Sequence, residues 1–278
     1  MFFYIGFTII FCMKLELLVS ALKAEPKNLI AKMNIPSDVV LVNQCDLTDN
    51  SEFIYSGHTV KVFSNTDRGV GLSRNLAIAN STADLILFSD DDIIYNDDCE
   101  KLILSEFEAH PEADGIFFNF EVDESRQTYH IDEFGPVKIT ASGRYPTYSL
   151  CIKRECVINN GLSFSPLFGG GAKYSCGEDS LFIVSALKAG VKLFKSPVTL
   201  GHEEFRPSTW FNGYTEKFFF DKGVLYHFLY KHLAFGISIR FILKHKSLLC
   251  RDVAPMKALR LMAKGIREGR KIEKEDSR

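Results

Sequence analysis

The sequence predicts an α/β fold, with a mostly parallel central sheet flanked by helices and a helical C-terminal extension. Three observations predict it. Strand-like and helix-like patterns alternate from Lys14 onward, as they do in layered α/β proteins. The run Leu85–Phe88 is apolar throughout and of strand length, as expected for a strand covered on both faces of a parallel sheet. A chain of 278 residues with 46% hydrophobic content can also bury a full core.

The elements follow in order. "LELLVSA" reads as the first strand, "PKNLIAKMN" as a helix with Pro26 near its start, and "DVVLVNQ" as the second strand. "TVKVFSN" is a third strand, and "GLSRNLAIANS" a helix with apolar residues at helical spacing. The Leu85 strand comes next, then a helix over 97–110 and the fifth strand "GIFFNFEV". After about residue 123 the alternation weakens. "DESRQTYHIDEFGP" reads as loop, with short strands expected near Val137–Thr140 and Tyr148–Ile152. "GEDSLFIVSALKAG" is a helix with an acidic first turn and Gly190 just past its end. "VKLFKSPVTLGHEE" follows as a strand running into a polar loop, and beyond Pro207 the chain reads as helical and aromatic.

Three parts are therefore expected: an apolar extension at 1–12, a folded body at 13–207 and a helical, aromatic and basic region at 208–278. "MFFYIGFTIIFC" has no basic flank or cleavage site and falls short of the ~20 residues of a spanning helix. A short membrane-touching anchor is the alternative for it. Seven cysteines, an odd number with no CxxC pair, argue against a zinc site or disulfide framework and fit a reducing cytoplasm. Net charge is −2 and points to no nucleic-acid partner. Its distribution is uneven: Lys231–Arg278 holds thirteen Lys/Arg against five Asp/Glu, a balance of +8 that leaves −10 for residues 1–230.

Asp90, Asp91 and Asp92 stand at the carboxyl end of the Leu85 strand, where open α/β sheets place their ligands. Hard oxygen ligands on a short loop suit Mg²⁺ or Mn²⁺ with positions left for phosphates. The alternatives are a solvated acidic turn, or Asp92 as a cap of the next helix. Asn43 and Asp46 end the second strand, where an amide or carboxylate can meet the edge of a base or simply form a polar turn. Arg74 lies on the helix before the aspartate strand; its guanidinium can pair with a diphosphate or brace the acidic loop. Glu178 and Asp179 open a helix, so they either complement its dipole or supply a general base.

Taken in order, "NQCD" (43–46), "DRGVGLSRN" (67–75), "SDDD" (89–92), "GGGAKYSCGED" (169–179) and "GHEE" (201–204) resemble the family 2 glycosyltransferases, over roughly Lys14–Pro207. The resemblance implies a GT-A fold and a nucleotide-sugar donor. Asn43, Asp46 and Arg74 then fall at the donor site, with Asp90 or Asp91 on the ribose. Asp92 becomes the metal ligand, His202 completes the metal shell, and Asp179 is the base of an inverting transfer. Gly170 and Gly171, with Glu178, fall beside the sugar or acceptor. The opening "LVSALKAEP" departs from the family's usual ending of that strand.

The expected function is transfer of a sugar, UDP-linked in the first instance, to a glycan or lipid-linked acceptor in surface-polysaccharide synthesis. The alternatives are a sugar nucleotidyltransferase, which would carry a glycine-rich basic loop near its first strand, and a non-catalytic sugar-binding module, which would lack the GED acids. The aromatic, basic C-terminal region suggests contact with an anionic membrane surface, the inner face of the cytoplasmic membrane; packing on the body is the other reading.

Overall fold

The structure, a computed structural model, describes residues 13–123, 127, 129–205 and 213–276. The extension expected at 1–12 and the boundary expected at 207–208 lie outside these residues. The elements are β1 (Leu15–Leu22), α1 (Pro26–Met33), β2 (Asp38–Gln44), β3 (Asp49–Tyr55), β4 (His58–Asn65), α2 (Val70–Asn80), β5 (Leu85–Asp90), β6 (Ile93–Tyr95) and α3 (Cys99–Ala109). They continue with β7 (Gly115–Glu121), β8 (Gly135–Pro136), β9 (Leu150–Lys153), α4 (Arg154–Asn159), α5 (Glu178–Lys188), β10 (Leu193–Glu203), α6 (Glu216–Tyr230), α7 (Ala234–Leu249) and α8 (Pro255–Asp276).

One sheet runs in the order β3-β4-β2-β1-β5-β9-β7-β10-β6, with β8 added against β10. β4, β2, β1 and β5 are parallel neighbours, so the ends of β2, β1 and β5 lie along one edge. β9 runs antiparallel between β5 and β7, and β6 pairs antiparallel with β10. Successive side chains of a strand face opposite sides. Leu15, Leu17, Leu85 and Leu87 therefore pack with α1 and α3, while Leu18, Ile86 and Phe88 pack with α2 and α5. This double cover is why β1, β2, β5 and β7 are buried almost throughout and predominantly apolar.

Two expectations need correction. The strand expected near Val137–Thr140 is a two-residue strand at Gly135–Pro136 followed by a 3-10 turn at Ile139–Ala141. Pairing with β10 ends where Val137 N bonds Leu193 O (2.8 Å). Val137 is buried and Ile139 is exposed, so there is no extended face to continue. Tyr148 and Ser149 likewise belong to a 3-10 turn, and β9 starts only at Leu150. The sequence reading also passed over β3, a mostly exposed hairpin strand that forms one edge of the sheet.

The C-terminal helices form a third core. Phe219, Val224 and Leu225 of α6, with Ala258, Met262 and Ile266 of α8, bury together with Phe168 and Tyr174 from the segment leading into α5. α6 and α8 touch backbone to backbone: a Cβ on Gly223 would sit 2.2 Å from Met262 O, and one on Gly265 would sit 2.1 Å from Phe220 O. Among the described residues no helix is long and apolar enough to cross a membrane.

Candidate active site

Arg74 organises the site. It projects from α2 into the protein with only 3% of its side chain exposed. Nη2 donates to Asp90 Oδ1 at 3.0 Å and Nη1 to Asp179 Oδ1 at 2.8 Å, with Glu178 Oε1 at 3.8 Å from Nη1. One guanidinium therefore joins the end of β5 to the start of α5, segments far apart in sequence. The ring of Phe164 lies 5.2 Å from the guanidinium carbon and backs it from the apolar side. Burial opposes the charge on Arg74, but Asp179, Asp90 and Glu178 outweigh it and hold its proton more firmly than usual.

The three acids share that single cation unequally. Burial pushes Asp90 above the usual carboxylate value; Arg74 opposes the shift and Asp179 adds to it. Burial also pushes Glu178 up to about 7, with Asp179 adding and Arg74 opposing. Glu178 Oε2 accepts from Gly177 N at 3.0 Å. Asp179 keeps 29% of its side chain open, and its hydrogen bonds from described residues, from Arg74 and Thr147, both fall on Oδ1. Its second oxygen faces no donor among them.

The glycines earn their place by close approach. Gly169 has φ +107°, and a Cβ there would fall 2.6 Å from Val70 Cγ1 and 2.8 Å from Glu178 Cδ. Gly170 O accepts from Val70 N at 2.9 Å, so this stretch docks on the first turn of α2. Gly171 follows in the left-handed region at φ +79°. Asn75 fixes the other flank: its amide donates to Phe164 O and accepts from Phe164 N, at 2.9 and 2.8 Å.

The remaining candidates line the edge formed by β2, β1 and β5. Asn43 is buried and spent on Ala24, accepting from its N–H (3.0 Å) and donating to its carbonyl (2.9 Å). Asp46 is 73% exposed and held by Lys23 and Arg68, each at 2.8 Å; the bond from Lys23, with the charges of both, keeps its carboxyl below the usual value. Gln44, which the sequence reading did not single out, accepts from Gly69 N at 2.8 Å and so sets the approach to α2. Asp91 Oδ2 accepts from Leu22 N at 3.3 Å, tying the aspartate turn to the end of β1. Asp92 O accepts from Glu204 N at 2.7 Å, which extends the β6–β10 ladder into that turn. His202 is exposed in this ladder, opposite Ile94. The structure thus gathers Arg74, Asp90, Glu178 and Asp179 into one cluster. It sets Asn43 and Asp46 at the end of β2, and Asp92 and His202 along the β6 ribbon. Among the described residues no three His, Cys, Asp or Glu side chains converge as a metal site.

Residues 13–162, more than half of the chain, match the family model described as Glycosyl transferase family 2. The chain belongs to this family. Among solved structures, TarS 1–349 from S. aureus in complex with UDP-GlcNAc aligns with a TM-score of 0.60 at 17% identity, covering 86% of this chain and 74% of that one. A second structure of S. aureus TarS aligns with a TM-score of 0.58 at 18% identity, covering 85% of this chain and 44% of that one. At these identities the likeness shows the fold, which is GT-A. No curated protein matches the chain by sequence.

The family 2 match ends at residue 162, before Gly169–Asp179. The contact of Asp179 with Arg74 is therefore an observation of this chain's own geometry. Two further residues complete the surroundings of Asp179, and no motif marked them. Thr147 is fully buried in the 3-10 turn before β9, and its hydroxyl donates to Asp179. Asp221 of α6 is buried and accepts from Ser175 N (3.0 Å), Ser175 Oγ (2.9 Å) and Lys217, so a C-terminal helix holds the loop that leads to Glu178. Gly177, at φ +119°, leaves no room for a Cβ, which would lie 2.5 Å from Leu225 of the same helix.

Proposed function

We propose that this family 2 transferase moves a sugar from a UDP-linked donor to a hydroxyl of a glycan or lipid-linked acceptor, with inversion, in surface-polysaccharide synthesis. The observation that carries this reading is the shared guanidinium of Arg74, which sets Asp179 beside Asp90 at the carboxyl end of β5. Asp179 Oδ2 takes the proton of the acceptor hydroxyl. The acceptor oxygen bonds to the anomeric carbon, and the bond from that carbon to the diphosphate breaks, its electron pair leaving with the nucleoside diphosphate. Arg74 and Thr147 hold Oδ1, so Oδ2 stays aimed.

The aspartate turn suits a divalent cation of the Mg²⁺ or Mn²⁺ kind. Such ions bind through one or two carboxylates and complete their shell with phosphates and water, so a preformed three-ligand cluster is not required. Asp92, with Asp91 beside it, would supply the carboxylate ligands, and His202 across the ribbon would be a further donor. When bound, the ion neutralises charge on the leaving diphosphate.

The test is a donor-turnover assay across UDP- and GDP-sugars, with Mn²⁺ or with chelator. Asp179→Asn is expected to keep donor affinity while kcat falls about 10²-fold or more. Asp92→Asn is expected to lose the metal-dependent part of donor binding without loss of fold. Full turnover in chelator would remove the metal from the reading. Unchanged kcat in Asp179→Asn would remove the base.

A further inference from the structure

The sequence left two readings for the C-terminal helices, packing and membrane contact, and the structure separates them by face. Among the described residues thirteen large apolar side chains are exposed, and seven of these lie between Tyr230 and Met256. α7 packs inward through Ala234, Ser238, Ile242 and Leu249. Its outer side carries Phe235, Ile239 and Leu243 at i, i+4 and i+8, one continuous ridge on a helix, with Leu243 66% exposed. Leu233 precedes the helix at 69% exposed. One residue further along each turn, Arg240 and Lys244 flank the ridge, and Lys246 lies near its end.

None of the sixteen residues of α7 is acidic, and Asp252 comes only after its C-terminus. Arg240, Lys244 and Lys246 have no ion-pair partner among the described residues. A surface helix gains nothing from an apolar ridge held in water, and a patch of this kind marks an interaction face. The charges choose the partner. Two copies meeting ridge to ridge would bring unpaired cations of one sign together, whereas an anionic bilayer accepts the ridge among its acyl chains and the cations at its headgroups.

We infer that the outer face of α7 is a docking surface for an anionic lipid bilayer, on which the helix lies in the plane of the headgroups. The inference stands apart from the donor and acceptor, because lipid binding is measured without turnover. The full chain is floated with vesicles of phosphatidylcholine alone and of phosphatidylcholine with phosphatidylglycerol, at low and high salt. Two variants accompany it, Ile239→Ser/Leu243→Ser and Arg240→Glu/Lys244→Glu. All these side chains are at the surface, and thermal unfolding checks that the fold is kept.

Wild type is expected to bind only the anionic vesicles and to be released by salt. Each variant is expected to lose affinity about tenfold or more, since each exposed cation or apolar anchor contributes separately. Equal binding to neutral and anionic vesicles, no binding at all, or binding unchanged in both variants would overturn the assignment. A lipid-free dimer abolished by the serine variant alone would give the ridge to a second copy and overturn it as well.

Discussion

At the scale of residues the site is a problem of one cation and three acids. Removing Arg74 leaves Asp90, Glu178 and Asp179 crowded without a counter-charge. Breaking a buried pair in this way costs roughly 3–5 kcal/mol. Arg74→Met is expected to lower the unfolding free energy by that amount, read as a lower denaturant midpoint at unchanged slope. Arg74→Lys should recover part of the stability but not kcat, because a single ammonium cannot reproduce the fork that spans Asp90 and Asp179. Wild-type stability in the Met variant would show that protons already neutralise the acids. Glu178 gives the accompanying pH dependence. Its carboxyl is raised from an ordinary 4.5 to about 7 by burial and Asp179. Between those values the folded state binds more protons than the unfolded, so this residue's contribution falls as pH rises through the window and stays lost above it. Glu178→Gln is expected to flatten that slope and to stabilise the protein near neutrality. A curve of unfolding free energy against pH that does not change in this variant would contradict the assignment.

At the scale of elements, α6 holds the loop that leads to Glu178 and to Asp179, the proposed base. Asp221 neutralises Lys217 and takes both donors of Ser175, three residues before Glu178. Asp221→Ala frees the loop, and a displacement of about 1 Å at the base costs about 10²-fold in rate. The expected signature is a fall in kcat with little change in donor KM, largely rescued by Asp221→Asn, whose amide oxygen still accepts from Ser175. A rise in donor KM at constant kcat would mean that the loop shapes the donor pocket and not the base. Elements also differ in how far the sequence reveals them. β1, β2, β5 and β7 were legible because burial on both faces leaves them predominantly apolar over strand length. β3 was not, because an edge strand that avoids self-association is polar and charged, as "DNSEFIY" is. Arg74 and Asp179 each stand in a motif the sequence offers, and the structure brings the two into contact. Thr147 was not legible, because a hydroxyl in a 3-10 turn has no spacing signal, and its role exists only once β9 lies beside β5.

At the scale of the whole molecule, the charge asymmetry seen in the sequence is partly internal. Lys231 pairs with Glu273, Lys257 with Glu216 and Lys173 with Glu268, so some of the C-terminal charge binds the helices to one another and to the body. The cations of α7 are among those that remain for the outside, together with exposed Arg and Lys side chains of α8. The strand order has a further consequence, for the timing of synthesis. β6 follows the aspartate turn at once, yet its partner is β10, more than a hundred residues later in the chain. Arg74 and Asp90 likewise wait for Thr147 and Asp179, and the loop before Asp179 waits for Asp221 in α6. Such distant pairings close late, since loop-closure entropy is spent before the contacts can repay it. A nascent chain emerging from the ribosome therefore carries its aspartates long before the loop ahead of Asp179 is pinned, and on the proposed function it is expected to stay inert until its C-terminal helices arrive.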